Sequence, residues 1–233
     1  MIPKTKTKIE KRIGAFSWLI YGQPKIGKTT FTAQFDKALF IATEAGHKNV
    51  EVFKIPADKG ALANWSEFKA AVKTIVTEVK AGKFKFETIV IDTVDNLIDL
   101  CQDHVCKEMG IKHPEEAAFG KGWTAVRKEF ETGINVLLGL GVGVVFISHS
   151  QDKEVETRFA KVTKTMTTLS GKVGKFVEKT VDIIGYIGFD NEDPDKRVVS
   201  FKGSECLLAG DRTGNLPAIT DFNYKNIKGF FND

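Results

Sequence analysis

The stretch that decides the fold is Gly22-Gln-Pro-Lys-Ile-Gly-Lys-Thr-Thr30, which directly follows the apolar run Trp18–Tyr21. It fits the pattern G-x-x-x-x-G-K-[ST] at every fixed position. Its glycines allow the backbone to fold around a phosphate with N–H groups pointing inward. The pattern requires a strand before it and a helix after it, and the sequence predicts both, at Ser17–Tyr21 and Lys28–Asp36. The stretch therefore predicts a site for a nucleoside triphosphate.

Two residues of this loop and one distant acid carry the expected chemistry. Lys28 is expected to reach the β- and γ-phosphates, and Thr29 is expected to place its hydroxyl on Mg²⁺. Asp92 ends the apolar strand Thr88–Asp92, at the edge where α/β proteins bind ligands, so it is predicted as the second metal-side residue. Asp92 could instead cap the next helix, although Thr93 or Asp95 could take that role. With ATP and Mg²⁺ as the predicted cofactors, the nucleotide-binding residues are Gly22, Gln23, Pro24, Lys25, Ile26, Gly27, Lys28, Thr29 and Thr30.

Hydrolysis requires a group that orients and deprotonates the attacking water. One solution is a glutamate directly after the strand-end aspartate, but Thr93 follows Asp92. The Asp-Glu pair typical of AAA+ machines and helicase loaders is therefore absent. The predicted strand Lys37–Thr43 offers another solution, because Glu44 leaves it beside the phosphate loop. Glu44 alone could be a solvated loop acid; together with Asp92-Thr93 it is predicted to be the catalytic base.

A third polar cluster follows the apolar strand Gly143–Ser148. A side chain at this position can sense the γ-phosphate by hydrogen bonding and pass its presence to the next segment. His149 is the first choice for this role and Gln151 is the second. The alternative is that His149 is an ordinary structural or surface histidine.

Composition places the chain among single-domain globular proteins. It has 233 residues, of which 42% are hydrophobic and 27% are charged. Three cysteines do not make a disulfide framework and suit a reducing compartment. No apolar run reaches the length of a membrane span, and no signal peptide opens the chain. We therefore expect a cytoplasmic protein without a membrane partner.

Apolar strands alternate with helices along the chain, which predicts an α/β fold with a mostly parallel central sheet covered on both faces. Later strands at Val181–Phe189, Arg197–Lys202 and Glu205–Ala209 predict an antiparallel extension at one edge. The expected organisation is a basic N-terminal arm at 1–15, an ATPase core at 16–220, and a short tail at 221–233 that packs on the sheet.

Taken together, five stretches resemble the RecA-type ATPase core: GQPKIGKTT, LFIATEAG, TIVIDT, VVFISHSQ and LLAGDRTGNLP. The set is more closely similar to the phage-encoded RecA-like NTP-binding proteins of the Sak type, which are linked to recombination and single-strand annealing. Gly120-Lys-Gly-Trp123 and Leu169-Ser-Gly-Lys172 match two further elements of that family. The resemblance covers roughly residues 16 to 220. It implies a DNA-acting, oligomeric RecA-like ATPase, ring or filament, with Glu44 as its catalytic glutamate.

The same resemblance assigns a role to Arg212. In RecA recombinases and DnaB-type helicases, basic residues on a late strand reach the phosphates of the neighbouring subunit, and Arg212 fits the second of these positions. Gly210 stands where the first basic residue is usual, so a paired basic finger is in doubt. Arg212 could equally be a surface arginine beside a turn. The chain has neither the N-terminal helical domain nor the large C-terminal domain of recombinases, so full strand exchange is not expected.

Residues 151–175 are polar and basic, and we expect them to form a mobile loop that binds single-stranded DNA. Phosphate neutralisation would make this binding salt-dependent and weakly sequence-specific. The alternative is a solvated loop without a ligand, and the net charge of +4 permits a nucleic-acid partner without requiring one. Phe159 could stack on a base, and the N-terminal arm could contact DNA or a neighbouring subunit. The predicted DNA-binding residues are Lys153, Arg158, Lys161, Lys164, Lys172 and Lys175, against the acids Asp152, Glu154 and Glu156.

The function predicted from these features is a Mg²⁺-dependent ATPase that binds single-stranded DNA and supports phage recombination or replication. Its expected partners are single-stranded DNA, further copies of the same chain, and a single-strand DNA-binding protein. A helicase or helicase loader is one alternative, and a nucleotide-gated DNA-binding scaffold with negligible hydrolysis is another. A small-molecule kinase is less favoured, because no Arg-rich lid is evident.

Overall fold

A ten-stranded sheet organises the chain. The computed structural model describes residue 5, residues 10–157 and residues 160–231. The strands are β1 (Trp18–Gly22), β2 (Ala38–Ala42), β3 (Phe53–Ile55), β4 (Thr88–Asp92), β5 (Gly143–Glu156), β6 (Lys161–Thr167), β7 (Ile183–Phe189), β8 (Arg197–Ser200), β9 (Gly210–Asp211) and β10 (Ile219–Asp221). The α-helices are α1 (Lys28–Thr32), α2 (Trp65–Lys80), α3 (Val94–Met109), α4 (Lys121–Leu138), α5 (Gly171–Thr180) and α6 (Tyr224–Lys228).

The strand order is β10-β8-β7-β1-β5-β4-β2-β3, and β6 and β9 pair off this path with β5 and β7. All neighbours from β7 to β3 are parallel. The strands β8, β9 and β6 pair antiparallel with their neighbours, as does β10 with β8. The predicted α/β fold, a mostly parallel sheet with an antiparallel extension, is therefore confirmed.

Two apolar layers cover the sheet because successive side chains of a strand point to opposite faces. In β1, Leu19 faces one layer, whereas Trp18 and Ile20 face the other. The first layer contains side chains of α2, α3, α4 and α5. The second contains Phe31 of α1 together with residues of the C-terminal segment: Tyr224, Ile227 and Phe231. The expectation that the tail packs on the sheet is thus confirmed for its described residues.

Local signals explain where the covering helices begin. At the start of α2, the backbone N–H of Glu67 donates to Asn64 Oδ1 at 3.0 Å, and Glu67 Oε2 accepts from the N–H of Ala63 at 2.9 Å. The first contact satisfies one of the backbone donors that a helix start leaves unpaired, and the second links the residue before the N-cap to the first turn of the helix. None of the described helices combines the length and the apolar character needed to cross a bilayer.

The structure differs from the expected loop at 151–175. Strand β5 continues to Glu156, beyond the parallel sheet, and pairs with β6 as an antiparallel hairpin; α5 follows from Gly171. Beyond Ser150 the residues of β5 are mostly exposed, and those of β6 are mostly half-buried, so the hairpin has no fully buried face and lacks the apolar alternation that marks a half-buried strand. Its threonines and valines nevertheless favour extended backbone. Arg158 and Phe159, at the turn, lie outside the described residues.

Smaller differences concern element ends. The helix after the phosphate loop ends at Thr32, not Asp36. The expected strand Glu205–Ala209 is reduced to a single bridge between Leu207 and Thr165, and β9 comes after it.

Candidate functional site

The carboxyl ends of the central strands bring the predicted residues to one edge of the sheet. Gly22, the last residue of β1, pairs with His149 of β5 on one side and Ile187 of β7 on the other. Asp92, the last residue of β4, pairs with Ala42 of β2. The edge therefore collects the phosphate loop, Asp92, His149 and the segment that begins with Glu44.

The phosphate loop connects β1 to α1 as the sequence predicts. Its Gly27 has φ 107°, in the left-handed region that favours glycine. The carbonyl of Gly27 accepts the first helical hydrogen bond, from the N–H of Phe31 at 2.9 Å. The amino end of α1, with its unpaired N–H groups, therefore lies directly at the loop.

Lys28 lies inside this loop with only 6% of its surface exposed. Its Nζ donates to the carbonyls of Gly22 and Gln23, both at 2.9 Å. Burial lowers the pKa of Lys28, and the negative charges of Asp92, Glu44 and Asp95 act in the opposite direction. The ammonium group is therefore held in place by two loop carbonyls, and three carboxylates act on its charge. A phosphate bound in the loop would meet a positive charge whose position is already fixed.

Thr29 and Asp92 meet as predicted for a metal-side pair. Thr29 Oγ1 donates to Asp92 Oδ2 at 2.8 Å, and Asp92 is 1% exposed. The other oxygen, Oδ1, is buried without a hydrogen-bond partner among the described residues. These oxygens fit Mg²⁺, which proteins commonly hold through one or two side chains plus water and substrate phosphates. Within the described ranges, no cluster of three His, Cys, Asp or Glu side chains offers a cage made of protein alone.

His47 is a residue of this site that the sequence reasoning missed. Its Nε2 lies 3.1 Å from Asp92 Oδ2, and its side chain is 3% exposed. Its ring packs edge-on against Phe40, with centroids 5.4 Å apart. The only available signal was its place, three residues after Glu44 in the turn that leaves β2. His47 therefore helps to fix the orientation of the Asp92 carboxylate.

Glu44 lies at the same edge, half-buried, and its Oε2 accepts from Asn96 Nδ2 at 3.4 Å. Its charge acts on Lys28, which places the carboxylate on the side of the loop that Lys28 faces. The structure thus brings Glu44, Lys28 and Asp92 together. The role of Glu44 as catalytic base stays a prediction.

His149 connects the loop to the hairpin of β5 and β6. His149 Nδ1 lies 3.5 Å from Lys28 Nζ, and its carbonyl accepts from the N–H of Thr168 at 3.0 Å. Asp95 Oδ1 accepts from Ser148 Oγ at 3.1 Å and also from Thr168 Oγ1. Both ends of the hairpin are therefore attached to the first turn of α3. Gln151, the second choice as sensor, is engaged inside the hairpin, where its Nε2 donates to the carbonyl of Thr167 at 2.8 Å.

Arg212 lies at the opposite edge of the sheet. It follows β9, which pairs with the amino end of β7 through Ile183 and Asp211. Its Nη1 donates to Asp182 Oδ1 at 3.3 Å, and its Nη2 donates to the carbonyl of Lys179 at 3.1 Å. Arg212 does not contact the phosphate loop of its own chain, and its action on a neighbouring subunit stays a prediction.

Among the arginines that the structure describes, Arg197 contacts the phosphate loop. Its Nη1 donates to the carbonyl of Ile26 at 2.9 Å. No local pattern in the sequence predicts this contact, because it arises from the pairing of β8 with β7 and the packing of the C-terminal segment beside the loop.

The pairing of the hairpin sorts its charges by face. Lys153 lies opposite Lys164, and Val155 lies opposite Val162 on the same face. The other face carries all three acids of the segment and Lys161, which pairs with Glu156. Of the remaining predicted DNA-binding residues, Arg158 is outside the described residues, whereas Lys172 and Lys175 are exposed on α5.

Comparison with known proteins adds three findings. The AAA domain family matches residues 15–213. The SPbeta prophage-derived uncharacterized protein YorG of Bacillus subtilis (strain 168) is 25% identical over 181 residues, which are 77% of this chain and only 53% of that relative. The crystal structure of the KaiC-like protein PH0186 from Pyrococcus horikoshii OT3 has 13% sequence identity and a TM-score of 0.46, over 82% of this chain and 80% of that one.

Proposed function

Because this chain belongs to the AAA domain family, with a P-loop ATPase domain, we propose that it is a Mg²⁺-dependent ATPase whose nucleotide state controls binding of single-stranded DNA. The observation that carries the ATPase half is the contact of Thr29 with Asp92 at 2.8 Å beside the buried Lys28. It gives the loop both a positioned cation for phosphate oxygens and an oxygen pair suited to Mg²⁺.

The roles of the chain's own groups follow from their places. The loop N–H groups and Lys28 bind the phosphates, while Thr29 and Asp92 would hold Mg²⁺, which neutralises charge on the phosphate oxygens. Glu44 accepts the proton of the attacking water, and Asn96 fixes the orientation of its carboxylate. The contact of His149 with Lys28 supports its proposed role as the residue that responds to the γ-phosphate.

The proposal for DNA is supported by the lysine-bearing face of the hairpin. Like charges directly opposite one another across a strand pair are destabilising, and Lys153 and Lys164 form such a pair. The charges of Glu178 and Lys164 already act on each other, and an anionic partner bound between the two lysines would remove the repulsion that remains. The neighbouring valines offer apolar contact to bases, and Lys172 and Lys175 extend the positive charge along α5. This combination suits a single-stranded nucleic acid better than a compact anion.

The proposed biological setting is phage DNA recombination or replication. It is supported by the sequence resemblance to the Sak-type proteins and by the relative named as prophage-derived. A homo-oligomer in which Arg212 reaches a neighbouring nucleotide remains part of the proposal, as does partnership with a single-strand DNA-binding protein.

The decisive experiment measures ATP hydrolysis with and without single-stranded DNA over a salt series, for the wild type and Glu44→Gln. We expect DNA to stimulate hydrolysis, with the effect declining as salt rises. Glu44→Gln should reduce turnover by a factor of roughly a hundred or more while ATP still binds, because only proton transfer is lost. Unchanged turnover in Glu44→Gln would remove its assignment.

The same assay separates the alternatives. Nucleotide-dependent DNA binding without turnover would favour a gated scaffold, and ATP-driven strand separation would favour a helicase. If DNA neither binds nor stimulates, the recombination proposal fails and the ATPase proposal stands on its own.

A further inference from the structure

Arg197 differs from the other arginines that the structure describes. Arg12, Arg127 and Arg212 each form a salt bridge with a carboxylate. Arg197 has no such partner within the described ranges, although it is bound to the phosphate loop. A positive charge without a protein counter-charge, placed at an anion-binding loop, is the observation from which the inference starts.

The position of the guanidinium is defined from two sides. On one side, Nη1 donates to the carbonyl of Ile26, and it lies so close to Gly27 that a Cβ there would be 2.8 Å from it. On the other side, the guanidinium carbon is 6.0 Å from the centroid of the Phe222 ring. The Phe222 ring packs in turn on Phe31 of α1, with centroids 4.8 Å apart. The side chain is therefore held beside the loop by contacts with the loop and the C-terminal segment.

A guanidinium has five N–H donors in a fixed fork, and the described protein contacts of Arg197 use one of them. Such a fork matches phosphate oxygens. The backbone of a phosphate loop binds mainly the α- and β-phosphates, whereas its lysine extends to the γ-phosphate. Ile26 and Gly27 belong to the backbone part, which places Arg197 on the α/β side.

We propose that Arg197 binds the α/β-phosphates of the nucleotide from within the same chain, as a further residue of the site. This inference rests on the proposed nucleotide binding. Arg197 thereby adds affinity for both diphosphate and triphosphate, while Glu44 and His149 act at the γ-phosphate.

The test measures binding of ATP, ADP and tripolyphosphate by calorimetry to Arg197→Gln, Arg197→Lys and the wild type, at low and high salt. Arg197→Gln should weaken all three by roughly ten- to a hundredfold at low salt, the range for hydrogen bonds to charged groups. The difference from the wild type should shrink at high salt. Arg197→Lys should lie between the two, because it keeps the charge and loses the fork.

The matched control is Lys196→Gln, which removes a neighbouring positive charge that Asp221 already neutralises at 2.7 Å. We expect its affinities to equal those of the wild type. Thermal unfolding without ligand shows whether each variant is folded.

If the wild type binds the probes, three results would overturn the inference. Unchanged affinity in Arg197→Gln would show that Arg197 does not contact the ligand. A loss for ATP and ADP but not for tripolyphosphate would assign Arg197 to the base or sugar. A loss that is equal at all salt concentrations would show that Arg197 stabilises the loop and does not bind the ligand.

The wild type separates this inference from the proposed function. If the wild type binds none of the probes, the proposed function fails and this inference fails with it. If the wild type binds them and Arg197→Gln has the same affinity, only this inference fails.

Discussion

Asp92 shows how much chemistry depends on one buried carboxylate. One of its oxygens accepts from Thr29 and lies against His47, and the other is buried without a partner among the described residues. A buried polar atom without a hydrogen bond is costly, so the protein retains it where a ligand can satisfy it. In the proposed function, Asp92 is therefore the residue at which metal binding and nucleotide binding would be coupled.

Replacement of Asp92 by Asn should separate Mg²⁺ binding from nucleotide binding. The amide keeps the shape and removes the charge that attracts Mg²⁺. Mg²⁺ should increase the affinity of the wild type for ATP. In Asp92→Asn we expect this increase to be smaller by about tenfold or more, whereas ATP binding in the presence of EDTA should change little. Calorimetric titration with Mg²⁺ and with EDTA measures both. Asp99→Asn, an exposed acid on α3, is the control, and an undiminished Mg²⁺ effect in Asp92→Asn would contradict the assignment.

Residues such as Lys28, Thr29 and Asp92 could be predicted because the sequence pattern and the strand that carries them are local. His47 and Arg197 could not, since each reaches the site through packing between segments distant in sequence. The match to the AAA domain family supports a P-loop ATPase domain. Thr93 nevertheless follows Asp92 at the end of β4, where AAA+ machines typically have a glutamate. The role of Glu44 as catalytic base remains a prediction that the pattern alone supports.

At the scale of elements, the hairpin of β5 and β6 changes how the basic segment can act. As a loop, residues 151–175 would present lysines and acids together. The hairpin of β5 and β6 instead places Lys153 and Lys164 on one face and the three acids on the other. Along the sequence the acids alternate with Lys153 and Val155, which places them on opposite faces of a strand. Because the hairpin has no fully buried face, this alternation could not be distinguished from the sequence of a polar loop.

The face that bears the lysines can be tested by charge removal. Lys153→Gln with Lys164→Gln should weaken single-stranded DNA binding and reduce the slope of log affinity against log salt by about 0.7 per lysine. Fluorescence anisotropy at several salt concentrations measures the slope. Lys161→Gln, on the face with the acids, should change it less. Lys73→Gln with Lys80→Gln on α2 matches the change in charge and should leave the slope unchanged; an equal effect of this pair would contradict the proposed surface.

At the scale of the whole molecule, the last described segment completes the layer that supports the phosphate loop. Tyr224 packs against Phe31 and Phe35, with centroids 5.8 and 5.2 Å away, and Ile227 is fully buried. The helix that follows the loop has only five residues, so its position depends on these neighbours. Residues about two hundred positions apart in sequence thus share one layer of the core.

Ile227→Ala should therefore lower the free energy of unfolding by about 2–5 kcal/mol, the range for buried large-to-alanine changes. Denaturant titration followed by circular dichroism measures it. Ile219→Ala removes the same atoms from a side chain that is 53% exposed, and we expect a much smaller change. Equal effects of the two would show that the C-terminal segment does not belong to the core.

The common attachment of both hairpin ends has a mechanical consequence. The free part of the hairpin is shorter than its full length, because Thr165, which lies opposite Asp152, is bridged to Leu207. Glu156 is four positions beyond Asp152, which at roughly 3.3 Å per residue makes a free arm of about 13 Å. A rotation of about 5° at its base would carry the tip through about 1 Å, given that length. Since the strand that bears this arm is fixed at its start to Asp95 and adjoins Lys28, a displacement too small to rearrange the nucleotide site would become a step comparable to a bond length at the lysine-bearing end.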